Sequence, residues 1–248
     1  MPASDFEFRH RTWLIFGIFF IGLACYWLDP QNSGEVLARI LRSQLGFLQA
    51  HSLRSSVRGL FVFGSLVVAT GTMIRVWGGA YLRAVVVHDS KVRAETLVAD
   101  GPFRYTRNPL YFGSLLAVFG AGLLFSRTGW IVQMTLALVL CYRLILREEK
   151  ELSQKQGERF LAYCRAVPRL LPSIKPRISF SGARPHWRES FLGQTAWWGT
   201  VAAEIAYALW FRLNIAIWVA VAAFVIFVTQ KYLMKSYSRP ITVTKGTQ

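Results

Sequence analysis

Long apolar stretches with almost no charged side chains recur along this chain of 248 residues, and they constrain its fold more than any other feature. Backbone inside a bilayer must satisfy its own hydrogen bonds, so such stretches are typical of transmembrane helices. The composition agrees, because 53% of the residues are hydrophobic and only 17% are charged. The sequence therefore predicts an all-α integral membrane protein.

We predict about six transmembrane helices, and two of them form a tight hairpin because only Ser126–Gly129 joins them. The six ranges are Thr12–Leu28, Val57–Ala80, Leu110–Phe125, Trp130–Leu146, Gln194–Phe211 and Asn214–Val228. Apolar residues at helical spacing in 35–58 predict an amphipathic helix at the membrane interface. Arg75 and Arg143 fall near the ends of spans, where we expect their long stems to reach the headgroups.

The organisation of the chain follows from these spans. We expect an amino-terminal anchor helix and interfacial segment in 1–56, a membrane core in 57–172 and a two-helix extension in 194–248. Residues 173–193 between them are basic and rich in serine, proline and glycine, which is typical of a linker.

The net charge of +16 does not indicate nucleic-acid binding, because the basic residues lie between the apolar stretches instead of forming one basic domain. Their distribution follows the positive-inside rule and predicts that both termini and the segments 81–108 and 147–172 are cytosolic. The four histidines are scattered, and no cysteine pair has the spacing of metal ligands. We therefore expect no metal site.

Residues 101–113, "GPFRYTRNPLYFG", place polar groups directly before an apolar helix. Asn108 is a favoured N-cap residue, and Pro109 suits the first helical position. The free N–H groups of that helix end attract anions, and Arg104 and Arg107 strengthen the attraction. The stretch predicts an anion site at the cytosolic face, although a capped helix with ordinary positive-inside arginines would have the same sequence.

Two further motifs follow the hairpin at the same membrane face. Glu148 and Glu149 lie near the end of a helix, where carboxylates oppose the macrodipole, so either the helix continues or a cation compensates them. Phe160 and Tyr163 share one face of an amphipathic helix. An anion site, two carboxylates and aromatic rings suit a zwitterionic ligand such as S-adenosylmethionine. The phosphates of NADPH would fit as well, but no Gly-x-Gly-x-x-Gly motif predicts a Rossmann fold.

Together these motifs resemble the isoprenylcysteine carboxyl methyltransferase and phospholipid methyltransferase family of membrane enzymes. The resemblance rests on "LVADGPFRYTRNPLYFG" (97–113), "REEKEL" (147–152) and "GERFLAYCRAVPRLLP" (157–172), in this order and spacing, and on "GTMIRVWGGAYL" (71–82) before them. It covers roughly residues 60–172. It implies a helical membrane core that binds S-adenosylmethionine at the cytosolic face and a lipophilic acceptor from the bilayer.

The resemblance also implies roles for individual residues. The cofactor would contact Arg104, Arg107, Asn108, Pro109, Tyr111, Glu148 and Glu149, and the acceptor would contact Phe160, Tyr163, Arg165 and Arg169. The family usually has histidine where this chain has Asn108. Asparagine can hold the cofactor, but it cannot titrate, which excludes proton transfer at this position. No catalytic residue is assigned.

The expected function is thus methyl transfer from S-adenosylmethionine to a lipophilic or lipidated acceptor, with a prenylcysteine-like carboxylate favoured because it needs no general base. A membrane reductase of the sterol type that uses NADPH, or a non-catalytic scaffold with a degenerate site, remains an alternative. Glu204 lies in the middle of the fifth span, where an ionisable side chain is costly. It is either functional, or protonated or hydrogen-bonded within the bundle.

Overall fold

The computed structural model describes residues 1–45, 52–88 and 99–237, with the backbone alone for 83–88 and 234–237. These residues form helices and connecting segments, and none of them belongs to a strand. The α-helices are α1 (Asp5–Ala24), α2 (Ser33–Gln44), α3 (Leu53–His88), α4 (Pro109–Ala121), α5 (Arg127–Gln156), α6 (Glu158–Ala166), α7 (Trp187–Leu192), α8 (Thr195–Trp210) and α9 (Leu213–Tyr237). The predicted all-α fold is confirmed.

Four helical stretches in the described part of the chain are long and apolar enough to cross a membrane. They are Asp5–Trp27, Leu53–Leu82, Arg127–Gln156 and Leu213–Leu233. The apolar stretch Pro109–Leu124 is shorter, and α8 has 16 residues, below the roughly 20 that span the hydrocarbon core. The chain is therefore a membrane protein, and four of its six predicted spans have the length for crossing.

Helices α3 and α4 lie backbone to backbone because glycines face each other. A Cβ atom on Gly113 would lie 2.5 Å from the carbonyl oxygen of Gly71. About two turns further along α4, a Cβ on Gly120 would lie 2.8 Å from the carbonyl oxygen of Gly64. Small residues permit such close approach between membrane helices, where dispersion contacts replace the hydrophobic effect. The crossing fixes the position at which α4 begins.

Ion pairs join α1 to α5 near the amino terminus. Arg143 donates to Glu7 from Nε at 3.0 Å and from Nη2 at 2.8 Å, and Arg147 Nη2 lies 2.6 Å from Asp5 Oδ1. The packing of α1 against α5 therefore gives Arg143 a carboxylate partner within the protein. That its stem reaches the headgroups stays a prediction.

The predicted amphipathic segment contains α2. Asn32 caps this helix by accepting a hydrogen bond from the backbone N–H of Glu35 at 3.0 Å. Glu35 in turn accepts from the hydroxyl of Tyr207 on α8 at 2.8 Å, and Ala38 is buried. Helix α2 therefore packs on the bundle through one face, while 46–51 of the same segment lie outside the described residues.

At the end of the bundle where the α4–α5 hairpin turns, Asp29 holds two connections together. It accepts hydrogen bonds from Arg127 Nε at 3.1 Å and Nη2 at 3.2 Å, and from the backbone N–H of Thr128 at 3.3 Å. Beside it, the N–H of Ser33 donates to the carbonyl of Phe125 at 2.9 Å. We call Asp29, Arg127 and Thr128 the Asp29 clasp.

The clasp should make stability depend on pH. Hydrogen bonds from Arg127 lower the pKa of Asp29 from its ordinary value to about 2. A lowered pKa stabilises the fold above the ordinary pKa, and this contribution is lost as the pH falls through the folded-state value. We expect the melting temperature in detergent to fall between pH 4 and pH 2, and Asp29→Asn to remove part of that fall.

The matched control is Glu158→Gln, which removes a carboxylate whose side chain is 84% exposed. Its pH profile should follow that of the unmodified protein, because an exposed ion pair contributes little. An Asp29→Asn profile that is parallel to the unmodified one at every pH would contradict the assignment.

Candidate cofactor site

The loop that leads into α4 is covered by the segment that follows α6. We call residues 167–186 the strap. Thr106 Oγ1 donates to the carbonyl of Leu170 at 2.9 Å. The N–H of Ser173 donates to the carbonyl of Tyr105 at 3.0 Å. The N–H of Arg177 donates to the carbonyl of Arg104 at 2.8 Å. In the predicted linker, 173–193, residues 173–186 have no regular structure but are hydrogen-bonded to the membrane core, and Trp187–Leu192 form α7.

Asp100 binds the carboxyl-terminal part of the strap through hydrogen bonds. Its carboxylate accepts from the N–H of Ser181 at 2.8 Å, from the hydroxyl of Ser181 at 2.6 Å and from the N–H of Ala183 at 2.9 Å. Burial raises the pKa of this carboxyl, but these hydrogen bonds outweigh it, and the pKa lies below its ordinary value. Asp100 is therefore an anchor for the strap and not a free acid.

Helix α4 begins at Pro109, as predicted, and Asn108 occupies its N-cap position. The Asn108 side chain makes no capping hydrogen bond. Its Nδ2 instead donates to the carbonyl of Arg169 at 2.9 Å and to Glu149 Oε1 at 3.3 Å. The donor end of the amide is thus turned toward a carboxylate, which leaves the first N–H groups of α4 without a side-chain acceptor from this residue.

Glu149 is the centre of the site. Its Oε1 lies 3.2 Å from Arg107 Nε, and its Oε2 accepts from Arg169 Nε at 2.9 Å. The Arg107 side chain is 10% exposed and that of Glu149 is 12% exposed. We call Arg107, Asn108, Glu149 and Arg169 the Glu149 cluster. Both expectations for the acidic motif hold, because α5 continues to Gln156 and cations compensate the carboxylate.

Glu148 forms a second link between α5 and α4. The hydroxyl of Tyr111, in the first turn of α4, donates to Glu148 Oε1 at 2.8 Å. Adjacent residues on a helix point about 100° apart, so Glu148 and Glu149 reach different partners on the same neighbouring helix end. The predicted carboxylate pair and the predicted helix end are therefore in contact.

Two of the predicted cofactor residues lie at the edge of this arrangement. Arg104 Nε donates to the carbonyl of Ile178 in the strap at 2.9 Å, and its guanidinium lies 5.9 Å from the ring centre of Phe180. Pro109 is buried at the first position of α4. Arg104 thus binds the strap, while Pro109 shapes the helix end.

The residues predicted to contact the acceptor lie on α6 and just after it. Phe160 is 3% exposed and Tyr163 is 6% exposed. The hydroxyl of Tyr163 donates to the carbonyl of Phe103 at 2.8 Å, and burial raises the pKa of Tyr163. Arg165 is exposed and lies 3.6 Å from Glu158. The two rings therefore pack α6 against the loop before α4.

Sequence reasoning missed the surroundings of Arg75. Its Nε donates to Gln194 Oε1 at 2.9 Å and its Nη1 to the carbonyl of Leu110 at 3.1 Å. Nη1 also donates to the hydroxyl of Ser114, and the guanidinium lies 5.3 Å from the ring centre of Trp197. Arg75 points into the bundle, so the expectation that it reaches the headgroups is wrong. No local pattern indicates a partner 119 positions away.

The charged and hydrogen-bonding groups of this site suit a zwitterionic ligand. Carboxylates at Glu148 and Glu149 accept hydrogen bonds from hydroxyl or ammonium groups, while Arg107 and the amino end of α4 attract a carboxylate. No group of three or more histidine, cysteine, aspartate or glutamate side chains is placed to hold a metal ion within the described residues.

Removing the charge of Glu149 should destabilise the protein. In Glu149→Gln two arginines lose a shared counter-ion, and Arg107 is mostly buried, so we expect a loss of about 2–3 kcal/mol in the free energy of unfolding. The control, Glu158→Gln, breaks an exposed pair and should cost less than about 1 kcal/mol. Denaturant melts in detergent would measure both, and equal losses would contradict the central place of Glu149.

Comparison with known proteins shows that the part of the chain around this site is similar to one family. Residues 60–159 match the sequence model of the phospholipid methyltransferase family. This range contains α4, the hairpin and both glutamates of the site, whereas Arg169 lies beyond it. No solved structure matches the chain.

Two curated relatives are similar over part of their length. A cobalt-zinc-cadmium resistance protein of Cupriavidus metallidurans is 27% identical over 155 residues, which are 61% of this chain and 62% of that protein. A nickel-cobalt-cadmium resistance protein of Alcaligenes xylosoxydans xylosoxydans is 27% identical over 115 residues, 46% of this chain and 51% of that protein. The chain thus matches less than two thirds of either relative. The resemblance seen in the motifs is confirmed, because residues 60–159, which contain most of the site, match the model of the phospholipid methyltransferase family.

Proposed function

We propose that this protein transfers a methyl group from S-adenosylmethionine to a lipophilic acceptor in the membrane. The observation that carries the proposal is the Glu149 cluster, in which a carboxylate, two arginines and an amide meet at the amino end of α4. The cluster lies largely within the segment that matches a methyltransferase family. Its charges complement both the carboxylate and the ammonium of the cofactor.

The chain supplies binding and orientation at this site. Arg107 and the first N–H groups of α4 hold the cofactor's carboxylate, and Glu148 and Glu149 accept hydrogen bonds from its hydroxyl or ammonium groups. When bound, S-adenosylmethionine supplies a methyl group on a cationic sulfur, which passes to a nucleophile by in-line displacement. Tyr111 keeps Glu148 turned toward the amino end of α4.

A carboxylate is the acceptor that fits this site best. An ammonium acceptor must first lose a proton, and Asn108 cannot accept one. A carboxylate reacts without a general base, and the basic surroundings attract it. We place the site and both termini in the cytosol, as the distribution of lysine and arginine indicates, and we keep 57–172 as the catalytic core between an anchor and a two-helix extension.

The names of the curated relatives refer to metal resistance. This chain is similar to them over part of its length, and its described residues place no metal-ligand cluster. A contribution to such resistance would come through methylation of a membrane component.

Titration with S-adenosylmethionine tests the cofactor. We expect saturable binding to the detergent-purified protein, and a dissociation constant at least about tenfold higher in Arg107→Ala, because a charge-assisted hydrogen bond is lost. Isothermal calorimetry would measure it. The control is Arg177→Ala, which removes an exposed arginine of the strap. Binding of NADPH alone would support a reductase, and binding of neither ligand would support a scaffold.

The acceptor can be tested by its head group. We expect transfer of a radiolabelled methyl group to a prenylcysteine analogue with a free carboxylate, and no transfer to the same molecule as an amide. Phosphatidylethanolamine should be a poor acceptor. Activity on this amine alone would overturn the choice of a carboxylate while leaving methyl transfer in place.

A further inference from the structure

A cavity of about 360 Å³ opens between α1, α8 and α9. Its walls are mostly aliphatic and aromatic, and its volume lies in the range of roughly 300–1,000 Å³ that is typical of small-molecule sites. Arg75 is the only charged residue among those described that line it. The cavity is distinct from the Glu149 cluster, none of whose side chains reaches it.

The cavity is polar at one end and apolar at the other. Arg75 and Gln194 line the end at which α8 begins, and Leu23, Leu124 and Ala216 line the end near the hairpin turn. Along α8 the lining runs from Gln194 to Ala203, which is roughly 13 Å at 1.5 Å per residue. A molecule that fills the cavity therefore has a polar head and an extended apolar tail.

The polar end lacks a negative charge. Within the described part of the chain, the contacts of Arg75 are an amide oxygen on Gln194, a backbone carbonyl, the hydroxyl of Ser114 and the ring of Trp197, all of them uncharged. A guanidinium inside a bundle with no carboxylate is costly. An anionic head group would compensate it, and the amino end of α8 beside it favours an anion as well.

The same end of the cavity adjoins the cofactor site. Arg75 donates to the carbonyl of Leu110, and the hydroxyl of the next residue, Tyr111, donates to Glu148. Leu110 lies two residues from Asn108. A head group at Arg75 therefore lies beside the first turns of α4, on which the Glu149 cluster is built.

We infer that this cavity binds the methyl acceptor, a single-chain amphiphile whose carboxylate or phosphate head is held by Arg75 and Gln194 and whose tail runs between α1, α8 and α9. The assignment of this molecule as the acceptor rests on the proposed methyltransferase function. The tail site itself is built mainly by α1, α8 and α9, which lie outside residues 60–159. These helices would therefore determine which tail binds, while residues 60–159 would hold the cofactor.

Photo-crosslinking tests the inference directly. The full chain in nanodiscs is labelled with three probes that carry the same diazirine-bearing alkyl chain and end in a carboxylate, a phosphate or an alcohol. We expect crosslinks in 196–227 with at least one anionic probe, with an affinity about tenfold or more above that of the alcohol. The better of the two anionic probes identifies the head group.

Substitutions test the contacts of the head group and of the tail separately. Arg75→Gln should remove the preference for an anionic head, and Arg58→Gln is its control, because Arg58 bonds to the carbonyl of Ala208 outside the cavity. Ala220→Phe should fill the cavity and weaken all three probes about tenfold, whereas Ala222→Phe, on the same helix but outside the lining, should not. Ala220 is exposed, so this change spares the buried core.

The outcomes distinguish the two proposals. S-adenosylmethionine binding without crosslinks in 196–227, or with equal labelling by the alcohol probe, overturns the acceptor site and leaves methyl transfer standing. Crosslinks that depend on Arg75 in a protein that binds no S-adenosylmethionine overturn the methyl-acceptor assignment. Support requires that the protein binds S-adenosylmethionine and also shows crosslinks in 196–227 that depend on Arg75. In Ala220→Phe, the KM for the acceptor should rise while the affinity for S-adenosylmethionine stays unchanged.

Discussion

The structure around the site depends on the carboxylate of Glu149. One side chain on α5 draws together Arg107 from the loop before α4, Asn108 at the N-cap position and Arg169 from the strap. Arg169 is 61 positions from Asn108 in the sequence, and Arg107 and Arg169 have no other partner of opposite charge among the described ion pairs. Since a partly buried ion pair is strong only when both partners stay in place, a ligand that binds here must replace these contacts with its own.

The close crossing of α3 and α4 determines where that ligand can bind. Gly71 and Gly113 let the two backbones touch, and Arg75, one turn beyond Gly71, then reaches the carbonyl of Leu110. A larger residue at either glycine would separate the helices and withdraw Arg75 from α4. The glycine contact and the polar end of the cavity are thus two results of one packing arrangement.

The sequence predicted the features that depend on local patterns. Apolar stretches predicted the helices, Asn108-Pro109 predicted the start of α4, and the motif order predicted that this start meets Glu148 and Glu149. The sequence did not predict the features that depend on tertiary packing. The orientation of Arg75 follows from the α3–α4 crossing, and the structured strap follows from Asp100, whose partners are 81 and 83 positions away. The sequence also did not predict the short lengths of α4 and α8, because the ends of these helices depend on the turns that flank them.

The two ends of the cavity wall are held by different kinds of contact. Hydrogen bonds tie the connections at the hairpin end, whereas α1 and α9 meet along the cavity through rings, with Phe16 4.6 Å from Phe224 and 5.5 Å from Phe227 between ring centres. Ring contacts separate without leaving a polar group unpaired. A lipid tail bound in the proposed site would therefore lie beside a contact between α1 and α9 that is made by aromatic rings, whereas the polar contacts of the Asp29 clasp lie at the hairpin end.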